Sequence, residues 1–455
     1  MVVISMALDS IVGIGTSRVA LYATSGILRT DQDPETVSSL LIVTVYNIFH
    51  PLRHIPGPLI QRASPVPYSR LIFGGLAPFH VHNLHERYGP VVRLGPNHAS
   101  FTDNRHHYGF FPGIPSTILE ASREEHARLR GALLPGFSDK ALRAQELRIW
   151  HYVDLLIRRL WLHAEAGPGG SATLDMVKWY NRKAFDILGD LIFAESFECL
   201  EKEKSHPFMP APVGPAGTIL VVLNYIGMAW LTQLLCIVVI RRMVFGVRGV
   251  LMQKLQRRLS AKVEMENLFE GFMRHREEWA MEKLKKEVRS AFKSAKDITI
   301  ASASRLPYML ACLKEALRMY PPVPGSMVRI VGKGGGMIAG YYMPEGTMVE
   351  CQQWSMNHSS SHWTDPWEFK PERFLSSEKS RDTREALRPF NVGPGDSVGR
   401  GLAYAEMRPF LANIVYAFDW KLADDSKSWL EDQRAYLFWR TRPLNVDLTP
   451  VSPPT

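Results

Sequence analysis

Pro389-Phe390-Asn391-Val392-Gly393-Pro394-Gly395-Asp396-Ser397-Val398-Gly399-Arg400 runs directly into Gly401-Leu402-Ala403-Tyr404-Ala405-Glu406-Met407-Arg408. This is a glycine-rich loop that opens onto a helix. Glycines without a Cβ let backbone come close to a flat ligand. Alone, the stretch reads as an ordinary surface turn. Two other stretches change that reading. In Glu315-Ala316-Leu317-Arg318 the carboxylate and the guanidinium are i and i+3, so they share one helix face. Pro371-Glu372-Arg373-Phe374 can bring a second guanidinium. One buried carboxylate between two arginines makes a rigid, charge-compensated lock. A third group, His126-Ala127-Arg128-Leu129-Arg130, places His126 and Arg130 at i and i+4, where both can hydrogen-bond one anion. By itself it reads as a solvated helix face.

Around these motifs the composition is that of a globular protein. Of 455 residues 46% are apolar and 22% charged, which excludes a disordered, collagenous or wholly membrane-embedded chain. Lys and Arg outnumber Asp and Glu by 54 to 45. The resulting charge of +9 suits an anionic membrane face, an acidic partner or an anionic cofactor. The basic residues are dispersed, so no nucleic-acid partner is expected. Cys199, Cys236, Cys312 and Cys351 lie far apart with no CxxC pair, which excludes a disulfide scaffold and a zinc motif. A reducing compartment is the default.

Residues 1–37 are weakly patterned and make a poor signal peptide, because Asp9 interrupts the apolar start and no basic region precedes it. Residues 38–60 form a short apolar, membrane-associating segment closed by the stiff Pro56-Gly57-Pro58 hinge. The run from Ser38 to Phe49 is too short to span a bilayer, which takes about 20 apolar residues, so a soluble form is also compatible with it. Ala216 to Ile240 carries no formal charge. Its Asn224, Thr232, Gln233 and two glycines favour a surface-buried or bilayer-grazing helix pair over a true span.

Helices are expected from Leu71 to Tyr88, from Arg123 to Glu165, within the charged stretch Val250 to Phe292, from Leu306 to Met319 and from Gly401 to Phe418. Val91 to Leu94 and His98 to Phe101 flank Gly95-Pro96 as a hairpin, and Val328 to Ile330, Met337 to Ile338 and Met348 to Cys351 are short strands. The expected fold class is mainly α with a small β region, and residues 61–450 are expected to form one large domain.

Taken in order, Glu315-x-x-Arg318, Pro371 to Phe374, Phe390-x-x-Gly393 through Gly399, and Ala403-x-x-Glu406 resemble the cytochrome P450 family, in its membrane-bound fungal secondary-metabolism branch. His50-Pro51-Leu52-Arg53 before Pro56-Gly57-Pro58, Arg87 to Arg93 and Phe137 to Leu142 keep the same family order. The similarity runs from about Tyr46 to Leu422. It implies a haem cofactor, an NADPH-dependent reductase as electron source and a small apolar metabolite as substrate. It also implies a place at the cytosolic face of the endoplasmic reticulum membrane. By resemblance, Glu315, Arg318 and Arg373 form the structural triad, and His126, Arg130 and Arg329 pair with haem propionates. Phe390, Gly393 and Gly399 belong to the cofactor loop, residue 397 holds the axial ligand position, and the loop between Phe101 and Glu125 roofs the substrate.

The chain departs from the family pattern twice. The family loop reads F-x-x-G-x-R-x-C-x-G, and here its Arg is Gly395 and its Cys is Ser397. The family's chemistry needs a thiolate on iron, and an aliphatic hydroxyl ionises far less readily than a thiol. The second departure is central. The family's long helix with an A/G-G-x-D/E-T-like motif has no counterpart. Met265 to Met273 resembles the stretch on the N-terminal side of that helix, and Lys283 to Phe292 resembles the stretch on its C-terminal side. Only Arg274 to Glu282 lie between them. Loss of that helix would uncover a large apolar face.

These departures point to an impaired or inactive monooxygenase, or to a non-catalytic haem or small-ligand binding protein at a membrane. A third reading takes Gly395-Asp396-Ser397-Val398-Gly399 as the G-x-S-x-G elbow of a serine hydrolase. That elbow needs a buried strand before it and a histidine after it. The preceding residues are short and Pro-rich, and no histidine comes after Ser397.

Overall fold

The structure, a computed structural model, describes residues 49–102, 123–193, 195–206, 222, 225, 277–325, 328–375, 381–393, 396–436 and 438–451. Within them the chain is mainly helical with small sheets. The N-terminal part contains α1 (Leu59–Ala63), α2 (Val66–Phe73), α3 (Ala77–Tyr88), β1 (Val91–Gly95) and β2 (His98–Phe101). Leu71 to Tyr88 is therefore not one helix. Gly74-Gly75 divides it, and Gly75 has φ +68°, where a Cβ is costly. The expected hairpin forms, with Val91 opposite Phe101 and Arg93 opposite Ala99. The Pro56-Gly57-Pro58 hinge docks on it through Arg93 N–H to Pro56 O at 2.7 Å. A side chain at Gly57 would collide with the Arg93 carbonyl, so glycine is required by close approach.

The single long helix expected from Arg123 to Glu165 is also two. α4 (Arg123–Leu133) ends in a 3₁₀ turn at Leu134–Phe137, where Pro135-Gly136 breaks the pattern, and α5 (Asp139–Ala166) restarts. Ser138 caps α5 by accepting the Ala141 N–H at 3.3 Å. The 28 residues of α5 extend about 42 Å. Ile149, Val153, Leu156, Ile157 and Leu160 line one face of it and are buried.

That face joins a core built with β3 (Ala172–Asp175), α6 (Met176–Phe193), α7 (Glu277–Ala291), α8 (Ile300–Ala303) and α9 (Pro307–Met319). The start of α9 is capped from a neighbouring helix. Glu287 on α7 accepts the Tyr308 and Met309 N–H groups at 2.9 and 2.8 Å. A carboxylate there satisfies two orphan donors and meets the positive end of the helix dipole.

Next come β4 (Arg329–Ile330), β5 (Gly336–Ile338), β6 (Tyr341–Met343), β7 (Met348–Glu350), α10 (Gln353–Asn357) and α11 (Arg400–Ala417). One sheet has the order β1-β2-β7-β4, with β2 and β7 parallel. The β5–β6 hairpin turns at Ala339-Gly340, both with positive φ. After α11 come β8 (Phe418–Leu422), β9 (Arg434–Ala435), β10 (Trp439–Arg440) and β11 (Asn445–Pro450). None of these last four was expected from the sequence. β11 sits between β3 and β8 and ties the C-terminus to the base of α6.

Several sequence expectations lie outside the described residues: residues 1–48, 103–122 with most of the substrate roof, 265–276, and the uncharged segment apart from Val222 and Tyr225. Tyr225 packs edge-on against Tyr68, and its OH lies 3.1 Å from His98 Nδ1. Among the described residues no helix is long and apolar enough to cross a membrane.

Candidate functional site

Helix α9 carries Glu315 and Arg318 inward because the two are one turn apart on its buried face. Arg318 Nε and Nη2 donate to Glu315 Oε2 and Oε1 at 2.9 and 2.8 Å. Arg373, from the 3₁₀ turn at Pro371–Phe374, donates through Nε to Glu315 Oε1 at 3.1 Å. The structure thus brings the three residues together, with Glu315 and Arg318 fully buried and Arg373 4% exposed. Sequence reasoning missed their further partners. Arg373 Nη1 also meets Asp382 Oδ2 at 2.6 Å, so the second guanidinium has its own carboxylate. Arg318 Nη1 reaches the Asn357 and Pro366 carbonyls, both at 2.7 Å. The indole of Trp363 lies under both guanidinium groups at 5.3 and 5.8 Å.

The glycine-rich loop is tied back on itself. Ser397 N–H donates to Phe390 O at 2.8 Å and Asp396 N–H to Gly393 O at 3.1 Å. Asn391 and Gly393 adopt φ +60° and +76°, which is what lets the turn close. Phe390 is half-buried and packs on Tyr404 of α11 with ring centroids 5.5 Å apart. Gly399 is the residue before α11, and its N–H donates to Ser397 Oγ at 3.3 Å. Among the described residues the Ser397 hydroxyl meets no histidine or carboxylate, the partners that activate a hydrolytic nucleophile. Pro394 and Gly395 lie outside the described residues.

The three residues nominated as anion binders differ in their surroundings. His126 on α4 is half-buried and makes no hydrogen bond among the described residues. Arg329 on β4 is also half-buried and without a described partner, and burial holds its pKa below the usual arginine range. Arg130 is engaged with Asp396, by 2.7 Å to the backbone carbonyl and 2.5 Å to Oδ1.

Haem of the kind the sequence resemblance implies needs a sulfur donor in this loop, and the residues do not fit it. Residue 397 offers a neutral hydroxyl. The described cysteines do not compensate. Cys312, on α9, has its thiol pushed well up by burial and by the nearby carboxylates. Burial, with Asp186 nearby, pushes Cys199 up to about 11. Cys351 lies 3.7 Å from the Met356 sulfur. Burial thus favours the neutral thiol at Cys199 and Cys312, and Cys351 faces another sulfur.

One further buried pair was not foreseen. Glu406 on α11 meets Lys183 of α6 at 3.4 Å, and Lys183 Nζ sits 4.7 Å over the Phe410 ring. Burial raises the Glu406 pKa and Lys183 opposes that rise. Because the folded-state pKa lies above the unfolded one, Glu406 favours folding most below its unfolded pKa, and this contribution is lost as pH rises through the folded value. Lys183→Met removes the opposing charge and lifts the folded pKa further. The variant is expected to be destabilised at neutral pH by about 3–5 kcal/mol, the scale of a buried charge stripped of its partner. The deficit should shrink on acidification below the ordinary carboxylate range. Denaturant titrations at the two pH values measure it, and an equal deficit at both would contradict a charged Glu406.

The sequence model of the cytochrome P450 family matches residues 265–448. The cytochrome P450 monooxygenase tpeC of Talaromyces stipitatus is 36% identical over an alignment 477 positions long, covering 91% of this chain and 93% of that protein. The trichothecene C-15 hydroxylase of Fusarium sporotrichioides is 35% identical, covering 90% and 96%. The averantin hydroxylase of Dothistroma septosporum is 34% identical, covering 91% and 90%.

Proposed function

The chain belongs to the cytochrome P450 family, and from that premise we propose that it keeps the family scaffold while having lost the family's iron-ligating sulfur. The family is one of haem-dependent monooxygenases that take electrons from a reductase and act on small organic substrates. In this chain the ancestral reaction is oxidation of a small apolar metabolite in fungal secondary metabolism, and activity is impaired or absent. On this reading residues 61–450 form the haem-type domain, and residues 38–60 associate with the cytosolic face of the endoplasmic reticulum. NADPH supplies electrons through the reductase partner.

The observation that carries the reading is Ser397 in the loop position where the family has cysteine. A thiol ionises near pH 8.5 and metal binding drives it to thiolate. Thiolate is the donor that pushes electron density toward oxygen cleavage, and serine at the same position cannot supply it.

Loss of a central segment is part of the same reading. The alignment with the Talaromyces relative, 477 positions long, exceeds the 455 residues of the whole chain, so that relative carries residues with no counterpart here. The gap expected between Met273 and Lys283 is where we place the loss.

A second reading, non-catalytic binding of haem or another small ligand at a membrane, is favoured by one contrast. The Glu315–Arg318–Arg373 network is complete, whereas the loop lacks its donor. The purified native chain, supplied with haem, reduced and exposed to carbon monoxide, is expected to lack the thiolate-type Soret shift. A thiolate-type band, or a hydroxylated product formed with reductase and the native residue in place, would overturn the proposal.

A further inference from the structure

The contact between Arg130 and Asp396 joins two parts of the chain 266 residues apart. One residue holds the guanidinium twice, through its backbone carbonyl at 2.7 Å and its Oδ1 at 2.5 Å. Those are fork positions of the kind a ligand's carboxylate uses on an arginine. The loop holds the backbone that carries this carboxylate, because Asp396 N–H is bonded to Gly393 O and the next residue's N–H to Phe390 O. The pair is partly exposed, at 23% and 30% for the two side chains, so an outside anion can reach it. His126, one turn away on the same helix, and Arg329 have no such internal partner among the described residues. Of the three side chains, Arg130 is the one already neutralised from within.

We propose that Asp396 is a built-in counter-ion that occupies Arg130 and competes there with the carboxylates of an acidic tetrapyrrole. This rests on the haem-family reading above and adds a second, independent obstacle to cofactor binding beside Ser397. The family's loop arginine is Gly395 here, so the loop supplies no cation of its own at that position.

Hemin carries two propionates, and its dimethyl ester carries none. The full-length native chain and Asp396→Asn are titrated with each and followed by Soret absorbance. Asn keeps the size and the backbone carbonyl while removing the charge. Hemin is expected to bind Asp396→Asn roughly fivefold more tightly, the scale of a partly exposed charge pair, with the ester unchanged. Arg130→Gln is expected to abolish that gain when combined with Asp396→Asn. Unchanged or weaker hemin binding, or equal tightening of hemin and ester, would overturn the proposal. Ser397→Cys in the same titration separates the two ideas. If it takes up hemin while Asp396→Asn gains nothing, the counter-ion proposal fails alone. If no form takes up hemin, both fall.

Discussion

Glu315→Ala is expected to cost about 3–5 kcal/mol of folding stability, the scale measured when one member of a buried ion pair is removed. Native domains have only about 5–15 kcal/mol in hand, so the variant should be largely unfolded or recovered in poor yield. The effect comes from the groups left behind. Arg318 is fully buried, and without Glu315 its guanidinium keeps neutral partners: the Asn357, Pro366 and Glu368 carbonyls and the Met319 sulfur. Arg373 is better protected, because Asp382 still faces its Nη1. Lys370 N–H also loses its acceptor, Glu315 Oε1 at 2.8 Å. Arg373→Met should cost at least as much as Arg318→Met, since it strips buried Asp382 of its guanidinium, whereas Arg318→Met leaves Glu315 paired with Arg373. Chemical denaturation of the three variants gives the order, and a Glu315→Ala midpoint equal to the native one would refute the lock.

How much of this was legible depends on how far apart the partners lie. Glu315 and Arg318 were readable because i and i+3 on a helix fix their common face whatever the tertiary fold. Arg373 was readable only through its family motif, and Asp382, Glu287 and Lys183 not at all, because their partners are chosen by packing between distant elements. The two helix breaks are written locally, in Gly74-Gly75 and in Pro135-Gly136, but apolar periodicity runs across both and masks them. β11 also left a sign, since Val446 and Leu448 alternate inward, but the strand is short and ends in Pro450. The engagement of Arg130 by Asp396 could not have been foreseen. The i, i+4 spacing says that His126 and Arg130 share a face and nothing about which anion reaches them.

Ser397→Cys is expected to convert a chain without a thiolate-type haem spectrum into one with it, a change from absence to presence rather than of degree. The loop is prepared for sulfur in two respects. The Gly399 N–H that now donates to Ser397 Oγ would donate to a thiolate at the same place. Residue 397 also stands just before the N-terminus of the 18-residue α11, where the helix dipole favours negative charge and lowers a thiol's pKa. The variant's reduced, carbon monoxide-treated spectrum should therefore show the shifted Soret band. Adding Asp396→Asn should let the band saturate at lower hemin concentration. Turnover is a separate matter. If the chain has lost its central helix, the repaired loop should give the band without hydroxylated product even when reductase is supplied. A band accompanied by turnover would count against the loss of a segment that the reaction needs. A folded variant that binds hemin with no thiolate band would remove residue 397 from the ligand position, and with it the main reason for regarding this chain as a disarmed member of its family.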